Sequence, residues 1–178
     1  MGVMRVPAAA VLTVFCVTAL VTPAGARAQP AAGVGGRYHI VNAIGFCVGV
    51  QNRGTSAGLA AEQGTCTHDS SQTWIIRSKQ GISGLAYFQL QSARSHLCLG
   101  VDHAAGTSGA AIVQVPCGNV THLTQFWGFK KSDHRVYDGN DHRFVLSVRG
   151  GSRQNGAHLV IGHARFPDPT QNWNLKAV

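Results

Sequence analysis

Three short segments of the chain alternate apolar residues with small or polar ones in the same way. They are FCVGV at 46–50, LCLGV at 97–101 and FVLSV at 144–148. Apolar residues at every second position are typical of a strand that turns one face toward a core. Short apolar runs separated by turn-forming residues, with 22 glycines in the chain, indicate an all-β protein rather than a helical one.

Each of these strands is followed by the same turn and tryptophan signals. A glycine closes a short polar stretch after each strand, which predicts a turn at Gly58, Gly109 and Gly156. A glutamine and a tryptophan separated by one residue follow each turn and use all three tryptophans of the chain: Gln72/Trp74, Gln125/Trp127 and Gln171/Trp173. The chain therefore divides into repeat 1 (37–84), repeat 2 (85–132) and repeat 3 (133–178), each with about four short strands. One repeat cannot bury its own apolar face, so the three must share a core.

The cysteines follow the repeats. Cys47 and Cys66 are 19 residues apart, and so are Cys98 and Cys117. An even number of cysteines at a repeated spacing indicates disulfides. Repeat 3 has Val145 and Ala164 at the matching positions, and this loss of both partners favours pairing within each repeat over the other two connectivities. A metal site is the alternative, but the chain has no CxxC motif to support it.

The first 28 residues have the pattern of a secretory signal. Arg5 precedes an apolar run at 6–21, and Ala26-Arg27-Ala28 is a small-x-small cleavage motif. Residues 29–36 are predicted to be a disordered leader before a single domain at 37–178. We therefore expect a secreted, extracellular protein. No later segment is apolar over the length of a membrane span, so membrane insertion is not expected.

The charge distribution and the missing motifs argue against several classes of function. Removing Arg5 and Arg27 leaves 13 of the 15 basic residues against 7 acidic ones, a formal charge of +6. The excess is scattered, which argues against a nucleic-acid partner. The nine histidines form no HxH or HExxH motif, and no GxSxG elbow is present. We expect no enzyme activity, metal or cofactor.

Cysteine pairs in register with three Gln-x-Trp motifs resemble the ricin B-type lectin family. The resemblance covers residues 37–178. It implies a β-trefoil of three pseudo-symmetric, four-stranded repeats. It also implies that the tryptophans lie in the core and that the glutamines brace the local backbone.

The family's sugar pocket is altered at its usual positions. The family has an aspartate two residues after the first cysteine, an aromatic residue two before the second, and often an asparagine before the Gln-x-Trp glutamine. These positions hold Gly49, Gly100 and Ser147; Gly64, Val115 and Gly162; and Ser71, Thr124 and Thr170. The resemblance thus implies a lectin scaffold without the usual galactose contacts.

A non-standard glycan site is the function we expect, with a glycan or polysaccharide as partner of a monomeric chain. The candidate residues lie in repeat 2: Asp102, His103, Asn119 and Gln125. Asp102 comes two residues after the family's aspartate position, on the same strand side if the alternation continues. Asn119 also begins an NVT glycosylation acceptor.

Two alternatives keep the scaffold but not the sugar. A protein-binding β-trefoil, as in the lectin-like subunits of multi-component bacterial toxins, requires an exposed apolar patch, for which Tyr87, Phe129, Tyr137 and Phe166 are candidates. A protease inhibitor requires a rigid exposed loop such as RFPDPTQ at 165–171. A carboxylate or amide fork beside an aromatic ring is required only for glycan binding.

Overall fold

The computed structural model describes residues 1–2, 33–82, 85–119 and 121–178. Most of the predicted signal at 1–28 and residues 29–32 of the predicted leader lie outside the described residues. Residues 33–36 contact the sheet, since the Gly35 N–H donates to the Ile76 carbonyl at 2.8 Å.

Twelve strands and no α-helix occur in these described ranges, four strands in each repeat. The strands are β1 (Arg37–Asn42), β2 (Phe46–Val50), β3 (Ala61–Thr65), β4 (Trp74–Ile82), β5 (Leu85–Ser92), β6 (Cys98–Val101), β7 (Ile112–Val115), β8 (Phe126–Lys130), β9 (Arg135–Asp138), β10 (Phe144–Val148), β11 (Leu159–His163) and β12 (Trp173–Ala177). Short 3₁₀ turns are interspersed at Gln51–Arg53, Ser70–Gln72, Asp102–Ala104, Leu123–Gln125 and Arg149–Gly151.

Six of the strands form the wall of a barrel. β1 pairs with β12 and β4, β4 with β5, β5 with β8, and β8 with β9. A hydrogen bond from the Trp173 N–H to the His134 carbonyl (2.6 Å) joins β12 to the start of β9. The other six strands form the hairpins β2–β3, β6–β7 and β10–β11, which are bridged to one another. The all-β, threefold β-trefoil is confirmed.

The three tryptophans lie in the shared core, as predicted. Their exposed fractions are 0–2%. Each indole N–H donates to a carbonyl of the second strand of its own repeat, at 2.9–3.0 Å: Trp74 to Val48, Trp127 to Leu99 and Trp173 to Leu146. A buried indole N–H needs such a partner, so the bond fixes the ring in place as well as satisfying it.

The disulfides pair within the repeats, as predicted. Cys47 is bonded to Cys66 and Cys98 to Cys117. In repeat 3 the buried Val145 occupies the position equivalent to the first cysteine. Each disulfide ties a β2–β3 or β6–β7 hairpin to the segment that leads to the Gln-x-Trp motif.

The glycine turns connect neighbouring repeats. Gly58, Gly109 and Gly156 have φ values of +84°, +92° and +79°, a region that favours glycine. Each of their N–H groups donates at 2.8 Å to a carbonyl of a different repeat: Gly58 to Gln114, Gly109 to Ile161 and Gly156 to Gln63. Each turn therefore lies beside the hairpin of another repeat.

Candidate functional site

The glutamines of the three Gln-x-Trp motifs brace the backbone in the same way. Each Oε1 accepts from a backbone N–H at 2.7–2.8 Å: Gln72 from Thr67, Gln125 from Gly118 and Gln171 from Arg165. Each Nε2 donates to a carbonyl before that residue, at 2.9–3.2 Å. The segment between the third and fourth strands is thus closed over the hairpin, as the family resemblance implies.

Two surface pockets lie against these braces at equivalent places in repeats 1 and 3. The repeat 1 pocket measures about 180 Å³ and the repeat 3 pocket about 310 Å³. Both include the three equivalent positions Gly49/Ser147, Gly64/Gly162 and Gln72/Gln171. The pockets therefore occupy the family's sugar-binding region although the family's residues are absent.

Glycine keeps both pockets open. A Cβ at Gly64 would lie 3.3 Å from Gln72 Nε2, and a Cβ at Gly162 would lie 3.1 Å from Ser147 Oγ. Neither glycine has a positive φ, so backbone conformation does not require it. In repeat 2 the equivalent residue is Val115, whose Cγ2 is 2.9 Å from where a Cβ of Gly100 would lie. The valine side chain fills the space that the two glycines leave open.

The repeat 1 pocket combines a carboxyl group with an amide. Glu62 and Asn155 both line it, and Asn155 comes from the glycine turn of repeat 3. Asn155 Oδ1 accepts from the Thr65 N–H at 2.7 Å, which leaves its NH₂ group as a donor for a ligand. Burial raises the pKa of the Glu62 carboxyl, while the nearby His158 opposes that rise. An acceptor and a donor that line one pocket can bind neighbouring sugar hydroxyls.

The repeat 3 pocket is lined by one acidic and two arginine side chains. Asp168 Oδ1 accepts from the Thr170 N–H (2.9 Å) and Oγ1 (2.6 Å), and Oδ2 remains an acceptor. Arg149 and Arg165 are exposed at the same pocket. Ser147 Oγ is used internally, since it donates to the Val145 carbonyl and accepts from Gln171 Nε2. Charged groups, rather than the hydroxyl, are therefore available to a ligand.

The residues predicted in repeat 2 have local roles. The Asp102 carboxylate lies 3.0 Å from His103 Nδ1, and Asn119 Oδ1 accepts from the Thr121 N–H (3.1 Å) and Oγ1 (2.6 Å). Gln125 is a buried brace. No hydrogen bond joins Asp102 to Asn119, both of which are described. Because β6 ends at Val101 and a 3₁₀ turn follows, strand alternation does not place Asp102 as expected. A site at these residues stays a prediction.

The four aromatic candidates differ in their exposure to solvent. Tyr87 is buried, Phe129 packs against the core, and the Tyr137 hydroxyl donates to Asp133 Oδ2 at 2.8 Å. Phe166 is 90% exposed and follows Arg165 at the repeat 3 pocket. In the loop at 165–171, the last two residues are buried by the brace, so only its first half is exposed.

Sequence reasoning missed Glu62, Arg149, Asn155 and Asp168. The one local signal was the contrast between Val115 and glycine at the two equivalent positions. Within the described ranges, no helix is long and apolar enough to cross a membrane, and no cluster of three or more His, Cys, Asp or Glu side chains could hold a metal ion.

Comparisons with known proteins agree with this geometry. The model of the ricin-type beta-trefoil lectin domain matches residues 36–173. A comparison with curated protein sequences gives no match.

Many solved structures share the fold, and three of them illustrate it. A designed threefold-symmetric protein, ThreeFoil, has a TM-score of 0.68 and 23% identity over 80% of this chain and 99% of its own. The earthworm R-type lectin C-half in complex with GalNAc has a TM-score of 0.62 and 14% identity over 80% and 99%. The Rhizoctonia solani agglutinin has a TM-score of 0.68 and 14% identity over 84% and 100%. With its repeats, braces and matching family model, this chain belongs to the ricin-type β-trefoil lectin family.

Proposed function

We propose that the protein is an extracellular, non-catalytic carbohydrate-binding module that binds glycans through the pockets of repeats 1 and 3. The observation that carries this proposal is the pocket beside the glycine at positions 64 and 162, where repeat 2 has the side chain of Val115 instead. Polar side chains in these pockets take the place of the family's aspartate and aromatic residues.

The chemistry of the pockets suits sugar hydroxyls. Glu62 and Asp168 supply acceptors, and Asn155 supplies a donor. No tryptophan, tyrosine or phenylalanine lines either pocket, so stacking against a sugar ring contributes less than in the family's usual site. We expect a dissociation constant near 1 mM per site, about −4 kcal/mol.

Filling the pockets tests the proposal, and the chain provides its own template. Gly64→Val and Gly162→Val introduce the residue that repeat 2 already carries at the same place as Val115. We expect Gly64→Val to fold, because its neighbour Gly49, like Gly100 beside Val115, has no side chain. Gly162→Val is combined throughout with Ser147→Gly, since a Cβ at residue 162 would lie 3.1 Å from Ser147 Oγ. We expect the variant that carries both valines to lose binding on a glycan and polysaccharide array. Binding should be measured at low and physiological salt, because the excess positive charge produces a salt-sensitive background.

Asp102→Ala serves as the comparison variant for the repeat 2 site. If binding survives in the double valine variant and falls in Asp102→Ala, the site lies in repeat 2 instead. If the unaltered protein binds no glycan on the array, carbohydrate binding is overturned for the sugars present.

A protein partner is the second candidate, favoured by the exposure of Phe166. Among the described phenylalanine, tyrosine and tryptophan residues, it is the one whose ring lies largely in solvent. If Phe166 anchors a protein, Phe166→Ser should abolish capture of that partner, whereas the double valine variant should retain it.

A further inference from the structure

A buried arginine lies behind the repeat 3 pocket. Arg135, on β9, is 5% exposed. Its Nη1 donates to Gln171 Oε1 at 2.9 Å, and its Nη2 donates to the Arg165 carbonyl. Among the described residues, no carboxylate forms an ion pair with this guanidinium. A buried charge that lacks a counter-charge is costly, so its presence requires a reason.

The brace itself does not require that charge. In repeat 2 the equivalent residue is Gln89, whose Nε2 donates to Gln125 Oε1 and to the Gly118 carbonyl, both at 3.0 Å. A neutral amide thus satisfies the same two acceptors that Arg135 satisfies in repeat 3. Hydrogen bonding accounts for the position of Arg135 but not for its positive charge.

Two further guanidinium groups line the same pocket. Arg149 follows β10 in a 3₁₀ turn, and Arg165 follows β11. Neither forms an ion pair with a described carboxylate, and Asp168 is the one acidic residue in the pocket lining. Two arginines and one aspartate line this pocket, and the buried Arg135 guanidinium lies behind Gln171, so the region has a net positive potential.

We propose that the repeat 3 pocket binds a sugar residue that carries an anionic group, an inference that rests on the proposed function. Arg149 and Arg165 contact the anion, and Arg135 raises the positive potential from behind Gln171. The guanidinium fork matches the oxygens of a carboxylate or a sulfate ester, and such charge-assisted hydrogen bonds are stronger than neutral ones. The repeat 1 pocket, with Glu62 and Asn155, suits a neutral sugar.

Matched pairs of probes test this assignment. Trigalacturonic acid is compared with its methyl ester, and a sulfated galactan with its desulfated form, by titration calorimetry at about 150 mM salt. We expect at least one anionic probe to bind about 10-fold more tightly than its neutral partner. The pair that shows the difference identifies the anion as carboxylate or sulfate.

Arginine variants locate the effect. Arg149→Ala and Arg165→Ala should each weaken binding of the anionic probe about 10-fold. Arg135→Gln should weaken it too, with a melting temperature that is unchanged or higher, because Gln89 shows that an amide keeps the brace and the uncompensated buried charge is removed. Arg153→Ala removes an equal charge from an exposed residue that lines neither pocket, and it should leave binding unchanged.

Three outcomes overturn the inference. Equal binding of acidic and neutral probes that is lost in Gly162→Val would leave the proposed function standing without anion selectivity. An equal loss in Arg153→Ala would assign the binding to diffuse surface charge. If no anionic probe binds, the inference falls, and neutral-glycan binding lost in Gly64→Val would still support the proposed function.

Discussion

At the scale of single residues, Asp138 is the least satisfied buried carboxyl group. It is 1% exposed, its Oδ2 accepts from the Asp141 N–H at 3.2 Å, and its Oδ1 has no hydrogen-bond partner. The equivalent residue of repeat 1, Asn42, donates to Gln63 Oε1 at 2.8 Å. Repeat 3 has Ile161 where repeat 1 has Gln63, so the polar partner is missing.

This environment predicts a pH-dependent stability. Burial raises the pKa of Asp138 from 3.8 to about 6. A carboxyl group with a raised folded-state pKa destabilises the fold as pH rises between those values, because the folded protein resists losing the proton. At neutral pH the penalty is on the order of 3 kcal/mol.

Asp138→Asn removes that ionisation. We expect its free energy of unfolding to exceed that of the unaltered protein at pH 7.5 by about 2 kcal/mol, and the difference to shrink toward pH 4. Urea unfolding across this range measures it. Asp69→Asn is a control with the opposite sign. Hydrogen bonds from Ser71 lower the pKa of Asp69, so the ionised carboxylate stabilises the fold and this stabilisation is lost as pH falls. A difference independent of pH would contradict the assignment.

At the scale of elements, the disulfides and the braces share the task of holding each hairpin. Repeat 3 holds its hairpin without a disulfide, through Gln171, Arg135 and the buried Val145. The Cys98–Cys117 bond therefore adds stability to a repeat that the remaining contacts already define.

Replacing that cysteine pair tests this division. The Cys98→Val/Cys117→Ala variant copies the residues of repeat 3, and we expect it to fold with a free energy of unfolding lower by roughly 3 kcal/mol. Chemical denaturation gives the value, and the same replacement of Cys47 and Cys66 is the matched control. An unfolded variant would show that the braces are insufficient without the disulfide.

How far the sequence predicts these elements depends on whether the signal is local. The tryptophans and glutamines recur at fixed places, and the family resemblance that this pattern carries implies their core and bracing roles. The pockets are not local, because Asn155 of repeat 3 lines the pocket of repeat 1 and Ser108 of repeat 2 lines that of repeat 3. The strand alternation used to orient Asp102 does not continue for a local reason, since the strand ends at Val101 and His103 takes a φ of +48°.

At the scale of the whole molecule, pseudo-symmetry places two dissimilar pockets on one rigid chain. The repeat 1 pocket has Glu62, Asn155 and Arg53, whereas the repeat 3 pocket has Asp168 and the arginines. One barrel fixes both pockets, so a polymer that reaches from one to the other binds the second site at a high effective concentration. Two weak sites can in this way produce one useful affinity.

We therefore expect the affinity for a long polysaccharide that contains both acidic and neutral sugars to exceed that for its acidic trisaccharide by about 100-fold or more. Gly64→Val and Gly162→Val should each return the polymer affinity to that of a single site. If diffuse surface charge alone drove binding, both variants would keep the full polymer affinity. Titration calorimetry with polymer and trisaccharide, together with sedimentation to establish a monomer, measures this. If each single variant retains the full polymer affinity, the two pockets do not act together, and the threefold scaffold contributes rigidity rather than multivalency.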